Sequence, residues 1–134
     1  MNLEVELILR LLLAAALGAG VGYQRERANK PAGLRTHSLI ALGAALFTVV
    51  SMFGFTGGAD TARVAAGVVA GVGFIGAGVI FRGSRGDVLV GLTTAASIWV
   101  AAAIGLAAGA GLYLMSTFVA LITVLILMTP KVRG

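Results

Sequence analysis

Residues 88–130 read VLVGLTTAASIWVAAAIGLAAGAGLYLMSTFVALITVLILMTP, 43 positions without one charged side chain. A helix needs about 20 apolar residues to cross the hydrocarbon core of a bilayer. The run is too long for one span and right for two. Gly109-Ala110-Gly111 supplies the turn between them. Working upstream by the same rule, spans fall at 5–23, interrupted by Arg10, within 36–59, and from near Asp60 to near Phe81. The expected fold class is therefore all-α integral membrane, with five transmembrane helices.

Composition points the same way. Hydrophobic residues make up 59% of the 134, charged residues 11%, and the mean hydropathy is +1.04. A soluble domain of this length has too much surface for its volume to hide so much apolar area, so lipid is its solvent. There is no cysteine, and His37 is the single histidine. Disulfides and thiolate metal sites are thereby excluded, and one imidazole makes no metal site alone. Neither a phosphate-binding glycine loop nor a catalytic triad can be read, so neither cofactor nor enzymatic activity is expected. Gly71-Val72-Gly73-Phe74-Ile75-Gly76 matches a dinucleotide fingerprint only formally, because it lies inside an apolar helix with no strand before it. Glu4 and Glu6 stand where a secretory signal would carry Lys or Arg, so the first helix is read as retained. The chain reads as one transmembrane domain, 1–134, without a soluble C-terminal domain.

The basic residues sort by side. Arg25, Arg27, Lys30 and Arg35 lie in the first loop, Arg82 and Arg85 in the third, Lys131 and Arg133 in the tail. With five spans, all eight share one face of the membrane, leaving Arg10 and Arg63 on the other beside Glu4, Glu6 and Asp60. The excess of Lys and Arg on cytoplasmic loops then places the N-terminus outside and the C-terminus in the cytoplasm. The net charge of +5 is read as helix flanks that meet anionic lipid headgroups on the cytoplasmic side, not as a nucleic-acid surface.

The chain also resembles itself. Shifted by 58, residues 18–46 match 76–104 at 11 of 29 positions without a gap. Gly18-Ala19-Gly20-Val21 falls on Gly76-Ala77-Gly78-Val79, and Gly33-Leu34 on Gly91-Leu92. Two helical hairpins, about 1–58 and 59–108, are expected to repeat in parallel about an axis along the membrane normal, with a fifth helix outside the repeat.

Glycines four apart let helix backbones approach where no hydrophobic force between helices exists. Gly18 with Gly22, Gly67 with Gly71, and Gly105 with Gly109 have that spacing, and Gly76 and Gly78 add to the third helix. The third helix is accordingly expected to be central and crowded, and Trp99 to pack mid-span.

Several polar residues call for explanation. Glu6 and Arg10, four apart with the acid first, have the spacing of a helical ion pair, and Arg10 otherwise snorkels outward. Asp60 is a natural N-cap for the third helix, with Arg63 one turn on able to pair with it or with Glu6. Pro31 ends the first helix or shapes its loop, Gly33 permits a turn, Thr36 could cap the second helix, and Thr93 or Thr94 the fourth. The segment from Arg25, Glu26 and Arg27 to Arg35, Thr36 and His37 is the richest in polar groups, and reads as headgroup anchoring or as a site for an anion or a partner protein.

Lys30-Pro-Ala-Gly-Leu-Arg-Thr-His37, Gly71-Val-Gly-Phe-Ile-Gly-Ala-Gly-Val-Ile80, Gly91-Leu-Thr-Thr-Ala-Ala-Ser-Ile-Trp99 and Asp60-x-x-Arg63-Val-Ala-Ala66 together resemble the membrane domain of the MgtC/SapB family over nearly the whole chain. The resemblance implies a multi-pass bacterial inner-membrane protein linked to growth at low magnesium and to virulence. It implies either a magnesium-related transporter or a regulator of other membrane proteins, the ATP synthase among them. Polar family positions carried here are Arg25, Glu26, Arg35, Thr36, Asp60, Arg63, Arg82, Thr93 and Thr94, with Gly33. The chain departs from the family pattern at Gln24, Gly67, Ala70 and Val90, which thins out the polar residues that would handle an ion. No carboxylate lies mid-membrane, where cation-coupled carriers place one. The expected function is therefore regulatory, exercised as a homo-oligomer, a dimer by preference, and through other membrane proteins. A small ion or solute transporter is the alternative.

Overall fold

The computed structural model describes residues 2–55, 57, 60–82 and 89–130. It is a bundle of five helices: α1 (Leu3–Arg27), α2 (Leu34–Phe53), α3 (Thr61–Gly78), α4 (Leu92–Gly109) and α5 (Tyr113–Leu127). Two short strands, β1 (Phe81–Arg82) and β2 (Leu89–Val90), pair antiparallel between α3 and α4. The first four helices are long and apolar enough to cross a membrane, and α5 is a shorter apolar helix of 15 residues. The third helix ends at Gly78, short of Phe81, because the chain turns there into the ribbon. Of the flanking cations, Arg85, Lys131 and Arg133 lie outside the described residues.

Helix ends follow local chemistry. Asn2 caps α1 by accepting from the Val5 amide at 2.9 Å, and Asp60 caps α3 by accepting from Ala62 at 3.0 Å. α2 and α4 begin on Gly33 and Gly91, neither with a side-chain cap. Thr36, Thr93 and Thr94 therefore do not cap these helices: all three lie inside them. Gly33 has φ −102° and is not a left-handed residue. The left-handed positions of that loop are Asn29 and Ala32, at +56° and +57°. What Gly33 supplies is room, since a Cβ there would stand 2.5 Å from Glu26 Oε1. α4 and α5 are joined by the turn at Gly111, φ +88°, a conformation that side-chain-bearing residues resist.

The core is made by α1, α2 and α4. Ala14, Ala45 and Ala108 form one fully buried cluster, and Ala41, Ala101 and Ile104 lie equally deep. Small side chains dominate because the backbones touch. A Cβ on Gly18 would come 2.5 Å from the His37 carbonyl oxygen, one on Gly22 2.6 Å from that of Gly33, and one on Gly109 2.6 Å from that of Ala45. Gly105 sits tighter still against the Ala41 carbonyl. In lipid such contacts gain dispersion energy over length and have no hydrophobic substitute. α5 packs on α1 and α4, burying Ala120 beside Val21 and Ile104.

α3 corrects the expectation of a central third helix. Nine of the 18 residues of α4 are buried, and in α3, of equal length, only Val68 and Gly76 are. α3 touches the bundle through Val68, near Ala44 and Ala102, and through Gly76, 3.5 Å by its absent Cβ from Ala95. Among the described residues, Gly67, Gly71 and Gly78 meet nothing within 4 Å. Trp99 is likewise not packed mid-span: it is half exposed on α4, beside a shallow groove against α3.

Two contact pairs recur at the offset read in the sequence. Gly18 faces His37 and Gly76 faces Ala95; Gly22 faces Gly33–Leu34 and Gly91 faces Val79–Ile80. α2 and α4 also begin at matching positions, Leu34 and Leu92.

Candidate functional site

Polar side chains gather at two ends of the α1–α2–α4 core. At the end bearing the first loop, Arg25 is 3% exposed. Its guanidinium donates to the Pro31 carbonyl from Nη2 at 2.9 Å and from Nε at 3.3 Å, and to the Thr94 hydroxyl at short range. One side chain of α1 thus fixes both the loop leading into α2 and the first turn of α4. Among the described residues no carboxylate pairs with it.

His37 is fully buried next to this group. Its Nδ1 stands 3.0 Å from the Gly33 carbonyl, which only accepts, so Nδ1 carries the proton. Nε2 lies 2.9 Å from Ser97 Oγ on α4, and Ser97 Oγ lies 2.8 Å from the Thr94 carbonyl. The single Ser97 hydroxyl proton goes to the Thr94 carbonyl, and the direction of the Nε2 contact follows the ring's protonation. Glu26, exposed at the rim, accepts from the Leu34 amide at 3.2 Å and so takes over the capping role at the start of α2 that no Gly33 side chain can perform.

Around this buried group lies an exposed basic surface. Arg27 stacks over the Tyr23 ring at 5.8 Å and donates to its hydroxyl. Lys30 and Arg35 are exposed. Thr36 is half-buried and Thr93 exposed. Arg82 lies in β1, and its side chain is outside the described residues. The structure therefore brings together Arg25, His37 and Thr94, with Glu26 at the edge. Arg27, Arg35 and Thr93 are left on the surface.

The opposite end holds a second group. Arg10 is 8% exposed and bound, not snorkelled. It donates to Glu6 Oε2 at 2.5 Å, to the Gly109 carbonyl at 3.0 Å and to the Tyr113 hydroxyl at 3.2 Å, and lies over the Phe53 ring at 5.5 Å. It ties α1 to the ends of α2 and α4 and the start of α5. Gly111 leaves it space, because a Cβ there would come 3.0 Å from the guanidinium. Asp60 and Arg63 are exposed at the start of α3, apart from this group and not paired with each other.

Two partners escaped the sequence reading. Ser97 carries no local mark as the partner of His37, 60 positions away. Tyr113 gave no signal at all, since its partners Glu6 and Arg10 are over 100 residues distant.

Against known proteins, the family model described as MgtC family matches residues 11–132. The chain is 48% identical over 132 residues to YhiD of Escherichia coli K12, whose name proposes magnesium transport, covering 93% of this chain and 60% of that one. It is 42% identical to the SapB protein of Bacillus subtilis, covering 92% and 56%. With the MgtC protein of Brucella abortus it shares 46% identity over 99 residues, covering 74% and 40%. The chain thus spans somewhat over half the length of the first two relatives. No solved structure matches.

Proposed function

The chain belongs to the MgtC family, and on that premise we propose that it is a regulatory protein of the bacterial inner membrane, active in adaptation to low magnesium through contacts with other membrane components. The closed core supports this reading best. α1, α2 and α4 meet backbone to backbone at four glycines. Among the described residues, every buried side-chain nitrogen and oxygen finds a partner within the protein. The groove between α2 and α3 is lined by apolar residues alone. A magnesium ion would find neither carboxylates nor hydrated walls there, and hard cations require oxygen ligands.

The first loop is the contact surface in this reading. Arg25 and His37 make its base rigid, and Arg27, Lys30 and Arg35 project from it toward anionic headgroups or a partner protein on the cytoplasmic side. The termini follow, N-terminus outside and C-terminus inside. The recurring contacts 58 residues apart support the parallel repeat of two hairpins. The rival reading, a small cation transporter, draws on the name of the K12 relative.

Reversing the exposed charges tests the proposal. Arg27→Glu, Lys30→Glu and Arg35→Glu together are expected to abolish the protein's support of growth at low magnesium, with unchanged thermal stability in detergent. Full support from the triple variant would remove the loop from the mechanism.

A further inference from the structure

Inside this chain, glycines four apart are met by another backbone in two places. Gly18 and Gly22 of α1 receive α2, and Gly105 and Gly109 of α4 receive α2 again. α3 has the same spacing at Gly67 and Gly71, where an added Cβ would meet nothing within 4 Å. The open side continues into the apolar groove against α2, about 670 Å³, which Gly43 and Phe47 also line. Phe74, three residues beyond Gly71, is 82% exposed.

Charge says what covers this face. Asp60 and Arg63 precede Gly67 by seven and four residues, so all share one stripe of α3 with Gly71 and Phe74. Both charged residues are exposed, and the ion pair found among the described residues is elsewhere, between Glu6 and Arg10. The Asp60 carboxylate caps its own helix with Oδ1, and among the described residues no hydrogen bond reaches Oδ2. A twofold axis along the membrane normal makes α3 run parallel to its own copy. Crossing at Gly67 and Gly71, the two helices bring Asp60 of each against Arg63 of the other, twice by symmetry. A stripe with one acid and one base a single turn apart is self-complementary. A lipid tail would fill the groove but offer nothing to either charge.

We propose that the Asp60–Arg63–Gly67–Gly71 stripe of α3 is the interface of a symmetric dimer with a second copy of this chain. It rests on the α3 face alone and holds whether the protein regulates or transports.

The chain has no cysteine, so single cysteines report the contact cleanly in native membranes. Ala70→Cys, exposed on the same stripe, is expected to form a disulfide-linked species at twice the 13.5 kDa chain mass. Leu121→Cys, exposed on α5, is expected not to. In the Ala70→Cys background, Asp60→Arg or Arg63→Asp alone places like charges together and lowers the yield, and the two combined restore it. Each variant is first shown to unfold at the parent's temperature in detergent. Equal cross-linking at Ala70 and Leu121, cross-links to other proteins in place of the dimer, or failure of the double swap to restore the yield would each overturn the proposal.

Discussion

Gly105→Leu destabilises the folded chain by about 3 kcal/mol or more, at or above the upper end for overpacking a tight interior. The position explains the size. A Cβ on Gly105 runs into the Ala41 carbonyl of α2, which is backbone held in its own helix and cannot swing aside. α2 and α4 must separate along their length, and Gly109 against Ala45 one turn on is pried open with them. Gly67→Leu on α3 makes the same chemical change in open space, and is expected to alter monomer stability by no more than about 0.5 kcal/mol. Reversible unfolding in detergent, followed by the fluorescence of Trp99, the single tryptophan, gives both values. Equal losses at the two positions would mean that α3 is packed as deeply as α4.

Arg10→Met carries the second large effect. It keeps the length and apolar stem of the side chain and removes its three hydrogen-bonded contacts, to Glu6, Gly109 and Tyr113. Hydrogen bonds to charged groups contribute about 1.5–3 kcal/mol each in favourable settings. Glu6 is partly exposed and recovers some solvation, so the net loss expected is about 3 kcal/mol. The check is the same unfolding experiment, extended by Glu6→Gln in a double-mutant cycle. Coupling near zero between Glu6 and Arg10 would show the ion pair to be incidental and leave Gly109 as the important acceptor.

The spans were legible because lipid imposes a simple demand. Charge-free runs of sufficient length must be helices, and the charged, proline-bearing stretch between the first two ends one span and starts the next. The Asp60 cap and the Glu6–Arg10 pair were legible too, since both are local and set by spacings of two to four residues. Where sequence reasoning went astray, the deciding contact was distant. Glycine spacing says that a helix has a face for close approach, but not which helix fills it. Gly18 and Gly105 find α2, while Gly67 and Gly71 find nothing among the described residues. That is why α3, richest in glycine, was expected at the centre and lies at the edge. Thr36 and Thr94 looked like caps by residue type, yet the helices start earlier on Gly33 and Gly91, and Thr94 instead receives Arg25. In the candidate site, Arg25 and His37 stood out as polar groups at a membrane boundary. Their burial and their joining through Thr94 and Ser97 depend on α1, α2 and α4 meeting at one end, which no local pattern encodes.

The central claim is that the closed α1–α2–α4 core regulates and does not conduct. Flux in sealed liposomes containing this protein alone tests it most directly, with indicators for Mg²⁺, K⁺ and H⁺ and with Asp60→Ala and Arg35→Ala variants alongside. The account predicts flux equal to that of empty liposomes for all three ions, from protein shown to be folded and inserted. Ion flux above that level, abolished by either substitution, would contradict it and make the chain a transporter.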